Sequence, residues 1–152
     1  LIKRMLKIKG MFLGIKAHTR GSGSLDQEHK DEILSHENVS FLEGIHSPAI
    51  VRWADLVINF GSSIGFEALI LNKPMVNPVY LHTNKTVFDD KNISFIVKTE
   101  DECCDLITKF ISKEYSFKES EELNSVYKDV IYGGEANTDV LLNYYNLVSG
   151  KS

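Results

Sequence analysis

Short apolar runs alternate with longer stretches of helical periodicity along this chain. The short runs predict strands at Met11–Ala17, Val39–Leu42, Asp55–Phe60, Pro74–Val79 and Ser94–Val97. The longer stretches predict helices at Leu1–Ile8, Asp26–Ser35, a segment that opens with Ser47-Pro48, Ser62–Leu71, Glu100–Ile111, Phe117–Ile131 and Thr138–Val148. Strands that alternate with helices indicate βαβ units and therefore an α/β domain built on an open parallel sheet.

Composition narrows the class of protein. The chain has 152 residues, which fits one domain over 1–152, and its 43% hydrophobic and 25% charged content is that of a folded globular protein. It contains no apolar run near the roughly 20 residues that a membrane-spanning helix needs. A net charge of −4 gives no reason to expect nucleic-acid binding. The adjacent Cys103 and Cys104 indicate reduced thiols, and because the chain opens with Leu1 we expect a segment of a longer protein.

The strongest motif follows the predicted third strand. After Asn59-Phe60, Gly61 allows a ligand to approach the backbone closely, because it has no Cβ. Ser62-Ser63 start a helix, so the unpaired backbone N–H groups of its first turn and the two hydroxyls lie at the same helix end. This combination suits a phosphate or pyrophosphate, although Ser62 is equally an ordinary helix cap. Glu67 lies one helical turn after Ser63 and could bind ribose or sugar hydroxyls; the alternative is an acid favoured by the helix dipole or paired with a cation.

A second motif ends the predicted first strand. Lys16, His18 and Arg20 alternate in sequence and so share one face of an extended segment. Three groups able to carry positive charge beside a Gly/Ser loop would attract an anion, and imidazole suits proton transfer or phosphate contact. The alternative is a solvated edge.

A third polar stretch follows the predicted fourth strand. Tyr80, His82 and Asn84 could contact a base or sugar, as could Asn59 at the end of the third strand. His82 also fits a structural loop histidine. His46 directly precedes the helix that begins at Ser47-Pro48, and it could face the ligand cleft and contact a base or sugar there. The pair Asp89-Asp90 fits a solvated turn better than a metal site, and no His/Cys spacing indicates a metal. The phosphate loop of NTPases and the GxGxxG fingerprint are both missing from the sequence.

Three pieces of the chain, taken in order, carry a family resemblance. They are the strand with K-x-H-x-R (Ile15 to Arg20), WADLVINFGSSIGFEALILNKPMVNP (Trp53 to Pro78), and a closing helix at Asp139 to Leu147. The chain resembles the C-terminal, donor-binding half of GT-B-type glycosyltransferases of bacterial surface and capsular polysaccharide. It is also similar to CDP-glycerol glycerophosphotransferases and UDP-N-acetylglucosamine 2-epimerases. Thr19 stands where these families more often have proline.

The resemblance implies a Rossmann-like three-layer α/β/α domain with a parallel sheet of about five or six strands. It implies that Ser62 and Ser63 hold the donor diphosphate and that Glu67 binds ribose or sugar hydroxyls. His18, with Lys16 or Arg20, would neutralise charge on the departing phosphate, which makes His18 the expected catalytic residue. No metal or other cofactor is expected.

The resemblance also sets expectations for the whole protein. Its partners would be a nucleotide-sugar donor and, through a second domain outside this chain, a saccharide or lipid-linked acceptor. We expect a cytoplasmic location, at most peripheral to the plasma membrane, and no turnover by this segment alone. The alternatives are a glycerophosphotransferase or epimerase on the same scaffold, and a non-catalytic nucleotide-binding domain.

Overall fold

In the part of the chain that the structure describes, helices and strands follow one another in the predicted order, with one additional helix between the fourth and fifth strands. A computed structural model describes residues 1–16, 26–82, 85–90 and 93–114. The helices in these ranges are α1 (Ile2–Met5), α2 (Gln27–Leu34), α3 (Ser47–Trp53), α4 (Ile64–Ile70), α5 (Val87–Asp90) and α6 (Glu100–Ile111). The strands in the same ranges are β1 (Leu13–Ile15), β2 (Val39–Phe41), β3 (Val57–Ile58), β4 (Met75–Pro78) and β5 (Phe95–Val97). A 3-10 turn, Val79–Leu81, follows β4.

The strands pair in parallel and form two sheets. β1 pairs with β2, with Leu13 opposite Val39, while β4 lies between β3 and β5 in the second sheet. The predicted α/β class with parallel pairing is therefore confirmed. The prediction of one sheet with five or six strands is wrong for the described residues. β1 and β3 line a shared cleft instead of bonding to each other, and their three and two residues offer few backbone groups for pairing.

Apolar side chains cover both faces of β4. Met75 packs in a buried cluster with Val51 of α3, Leu69 of α4 and Phe88 of α5. The next residue, Val76, points the other way, as the pleat requires, and joins a buried cluster that it shares with residues of α1, β5 and α6, namely Met5, Val97, Cys103 and Ile107. Helices on both faces explain why the predicted strand Pro74–Val79 is apolar almost throughout.

Local capping determines where the longer helices begin. The Asp26 side chain accepts the His29 backbone N–H at 2.9 Å at the start of α2, and the Thr99 hydroxyl accepts the Glu102 N–H at 3.1 Å at the start of α6. Helix α6 has the bounds that the sequence predicts. Helix α3 is capped at His46 rather than at Ser47, without a side-chain hydrogen bond, and so includes Ser47 in its first turn.

Two further predictions concern residues or properties beyond these elements. The helices predicted at Phe117–Ile131 and Thr138–Val148 lie outside the described residues, and the assignment of 1–152 to one domain stays a prediction. Within the described ranges, no helix combines the length and the apolar character needed to cross a membrane.

Candidate functional site

A cleft of about 800 Å³ opens between β1 and β3. Its walls are largely apolar, with contributions from α1, α3 and α6 as well as the two strands. Trp53 and Phe12 line it with their rings edge to face, 5.8 Å apart between centroids. One group of lining residues is polar and includes five of the residues that the sequence singles out, namely Lys16, Asn59, Ser62, Ser63 and Glu67.

The side chain of Asn59 builds the turn that connects β3 to α4. Asn59 is buried, its Oδ1 accepts the Ser62 backbone N–H at 3.0 Å, and its Nδ2 donates to the Ser62 carbonyl at 3.1 Å. One of these bonds occupies the Ser62 N–H and the other its carbonyl, and α4 begins at Ile64 and not at Ser62 as predicted. Asn59 therefore shapes the turn, whereas the sequence suggested a contact with a base or sugar.

Gly61 and the two serines form the exposed part of this turn. Gly61 has a φ of +71°, which a residue with a Cβ rarely adopts. Ser63 occupies the cap position of α4, but its side chain makes no capping hydrogen bond. Ser62, whose alternative role was that of an ordinary helix cap, is therefore not the cap of α4, and the Asn59 side chain binds its backbone instead. Since α4 has only seven residues, its dipole adds little, and the turn itself supplies the polar groups.

Glu67 contributes a carboxylate to the same part of the cleft. The residue is half-buried and lines the cleft one turn after Ser63. Its Oε2 is buried and has no hydrogen-bond partner among the described residues. A buried acceptor without a donor costs about 1–3 kcal/mol, so this oxygen favours binding a ligand that brings a donor. Of the alternatives weighed above, no partner cation is observed for Oε2 among the described residues, whereas an acid favoured by the helix dipole agrees with the position of Glu67 in the first turn of α4.

The basic motif is described only at its first residue. Lys16 lines the cleft, and its ammonium donates to the Ile45 carbonyl at 2.8 Å. His18 and Arg20 lie outside the described residues. Lys16 thus supplies a positive charge to the cleft that Glu67 also lines. The roles predicted for His18 and Arg20 stay predictions.

The described part of the third polar stretch, Tyr80 and His82, does not line the cleft. Tyr80 packs in the apolar cluster around Val76, where burial, the largest influence, raises the pKa of its phenol. His46 is exposed at the start of α3, and neither it nor His82 is among the described residues that line the cleft. Asn84 lies outside the described residues. Contacts of these side chains with a base or sugar stay predictions.

Sequence reasoning missed the contact between Asn77 in β4 and Asp89 in α5. Asn77 is fully buried, its Nδ2 donates to Asp89 Oδ1 at 2.5 Å, and its Oδ1 meets His82 Nε2 at 2.9 Å. Asp89 also accepts the Thr86 backbone N–H at 2.6 Å, so it belongs to a hydrogen-bonded network and not to a solvated turn. One feature of the sequence could have indicated this contact, namely an asparagine inside an otherwise apolar strand. A buried side-chain amide needs hydrogen-bond partners, so a polar residue had to lie close to it.

Neither a metal site nor a protein family is identified for the described residues. In the described ranges, no group of three or more His, Cys, Asp or Glu side chains is arranged to hold a metal ion, and the expectation of a metal-free site stays a prediction. The chain matches no protein-family model, no curated protein and no solved structure.

Proposed function

We propose that this chain is the nucleotide-sugar-binding domain of a GT-B-type glycosyltransferase that acts in bacterial surface polysaccharide synthesis. The observation that carries the proposal is the buried, unpartnered Oε2 of Glu67 in a cleft that also presents Ser62 and Ser63. A carboxylate accepts hydrogen bonds and the hydroxyls of ribose and sugars donate them, so the two groups are complementary. The serine turn and Lys16 suit the phosphates of the same ligand.

The proposed fold is Rossmann-like, with three layers and the ligand at the cleft between β1 and β3. Parallel pairing and helical cover on both faces of β4 support the three layers. In open α/β sheets, ligands bind beyond the carboxyl ends of the strands, where the strand order reverses. The turn from Gly61 to Ser63 directly follows β3, which is consistent with that rule.

The chemistry would be electrostatic, because a leaving nucleotide phosphate gains negative charge as the sugar bond breaks. Fixed hydrogen-bond donors at the serine turn and the charge of Lys16 would stabilise that developing charge. In this proposal Glu67 orients the donor through its hydroxyls, and His18 and Arg20 complete the phosphate site. The acceptor and the general base belong to a second domain.

Nucleotide binding by the intact chain tests the proposal. We expect one of UDP, CDP or CMP to raise the melting temperature, and the nucleotide that does so distinguishes the glycosyltransferase and epimerase readings from the glycerophosphotransferase. Glu67→Gln replaces one acceptor oxygen with a donor, so affinity should fall about tenfold, the effect of losing one hydrogen bond to a charged group. Glu28→Gln on the exposed face of α2 removes the same charge and should bind as the wild type does. Unchanged affinity in Glu67→Gln would contradict the proposal, and the lack of any nucleotide effect would favour a domain with another role.

A further inference from the structure

Three exposed apolar side chains lie together along the cleft. Trp53 is 60% exposed and Phe12 is 50% exposed, although their rings meet edge to face at 5.8 Å between centroids. Ile111, the last residue of α6, is 38% exposed, and its Cγ2 would lie 3.6 Å from a Cβ built on Gly10, close to Phe12 along the chain. All three side chains line the cleft. We call Phe12, Trp53 and Ile111 the apolar patch.

The size of the apolar patch indicates that another surface covers it. A buried Phe or Trp removes about 150–250 Å² from water, so two rings that are at least half exposed leave roughly 200 Å² of aromatic surface in contact with solvent. Ile111 adds to this area. An exposed apolar patch of a few hundred Å² on a folded domain often marks an interaction site.

The end of α6 brings the following part of the chain to this patch. The Glu114 N–H donates to the Lys109 carbonyl at 3.0 Å, the Lys113 N–H donates to the Phe110 carbonyl at 3.2 Å, and Lys113 has a φ of +60°. This combination is a Schellman motif, which ends a helix and turns the chain away from the helix axis. The described range ends at Glu114, directly after this turn, so the next residues begin close to Ile111.

The sequence after this turn has the pattern of a helix with one apolar face. The helix predicted at Phe117–Ile131 lies outside the described residues. Its apolar residues recur at helical spacing and form one stripe, namely Leu123, Val126, Tyr127, Val130 and Ile131. In a helix this stripe is about 12 Å long, which is enough to cover two rings 5.8 Å apart. The link from Glu114 to Phe117 spans at most about 10 Å.

We propose that the segment Phe117–Ile131 forms a helix whose apolar stripe docks on the apolar patch of the same chain. A short link gives a tethered segment an effective concentration on the order of millimolar, so it competes well with a second copy of the chain or another partner. The docked helix would cover the apolar side of the cleft and leave Ser62, Ser63 and Glu67 accessible. The inference does not depend on nucleotide binding.

Tryptophan fluorescence of the intact chain is the first test, because Trp53 is the one tryptophan of the sequence. We expect acrylamide to quench the wild type poorly. Val130→Asp places a charge within the stripe, so the Stern–Volmer constant should rise severalfold and the emission should shift to longer wavelength. Ser125→Asp introduces the same residue on the opposite side of the helix and is the matched control, which should behave as the wild type does.

Nuclear Overhauser effects in the wild type are the second test, which stays decisive if Val130→Asp does not fold. We expect cross-peaks between the indole protons of Trp53 and the methyl groups of Val126 or Val130. A sample that mixes isotope-labelled with unlabelled chains distinguishes contacts within one chain from contacts between two. Cross-peaks found only between chains would make a second copy the occupant of the patch and overturn the inference.

Two further results would overturn it. One is the lack of any cross-peak from Trp53 to the methyl groups of the stripe. The other is strong and equal quenching of the wild type, Val130→Asp and Ser125→Asp, since Trp53 would then be uncovered in all three. If UDP, CDP or CMP protected Trp53 in such a chain, the patch would instead belong to the nucleotide site. Failure of every nucleotide to bind would contradict the proposed function and leave this inference in place.

Discussion

Gly65→Ala tests how closely α4 packs against the rest of the domain. Gly65 is the second residue of α4 and is buried. A Cβ at this position would lie 2.6 Å from Asn59 Nδ2 and 2.6 Å from Phe88 Cζ. Carbon atoms do not approach other atoms so closely, so one neighbour must move. Asn59 is only 1% exposed and Phe88 only 2%, which leaves little space for either movement.

The expected cost follows from these contacts. Overpacking a close-packed core by one methyl group costs about 1–3 kcal/mol. If Asn59 moves, its bonds to Ser62 weaken, which adds about 1 kcal/mol. Alanine in a helix interior returns about 1 kcal/mol relative to glycine. We therefore expect Gly65→Ala to lower the free energy of unfolding by about 1–3 kcal/mol, even though helix propensity alone predicts a gain.

Urea denaturation measures this change, and Phe88→Leu provides the matched background. Leucine lacks the Cζ and Cε1 atoms that the new methyl group would meet, so Gly65→Ala should cost less in Phe88→Leu than in the wild type, with a coupling energy of about 0.5 kcal/mol or more. Equal or higher stability of Gly65→Ala in the wild-type background would refute the close approach of α4 to Phe88 and Asn59.

Two further predictions concern a strained turn and a buried thiol. Asn72 has a φ of +51° at the end of α4, so Asn72→Ala should lose about 1 kcal/mol in urea denaturation while Asn72→Gly loses none; equal stability of the two variants would contradict the strain. Burial raises the pKa of Cys103 from 9.0 to about 11. The unfolded chain therefore releases this proton first, so the free energy of unfolding should fall as pH rises from 9.0 to about 11 and be unaffected by this group at lower pH. Cys103→Ala should remove that part of the pH dependence, and Cys104→Ala should remove a smaller part, because burial also raises the pKa of Cys104, which is only half-buried. An identical slope in Cys103→Ala would refute the burial effect.

Local signals in the sequence predict much of this fold. Thr99 followed by three acidic residues and a 12-residue apolar periodicity predicts α6 with its observed bounds. The strands are shorter than predicted because an apolar run does not reveal where pairing stops. Asp55–Phe60 reads as one strand, but Asp55 is exposed and Asn59 turns its side chain to Ser62, so only Val57 and Ile58 form β3.

The candidate site could be predicted only where it is local in sequence. Gly61, Ser62, Ser63 and Glu67 lie within one turn and one helix, so their spacing alone groups them. The contact between Asn77 and Asp89 spans 12 residues and depends on how β4 and α5 pack, which no periodicity expresses. The separation of the two sheets is likewise a tertiary property, since strand pairing is set by neighbours far along the chain.

A nucleotide titration followed by ¹H–¹⁵N NMR tests the central claim most directly, because each backbone amide reports separately. With UDP, CDP or CMP, the account predicts saturable shifts that are largest at the amides of Ser62, Ser63 and Glu67, where the serine turn and the unpartnered carboxylate meet in the cleft. Spectra that do not change with any of the three nucleotides, or shifts that leave these amides in place, would contradict it.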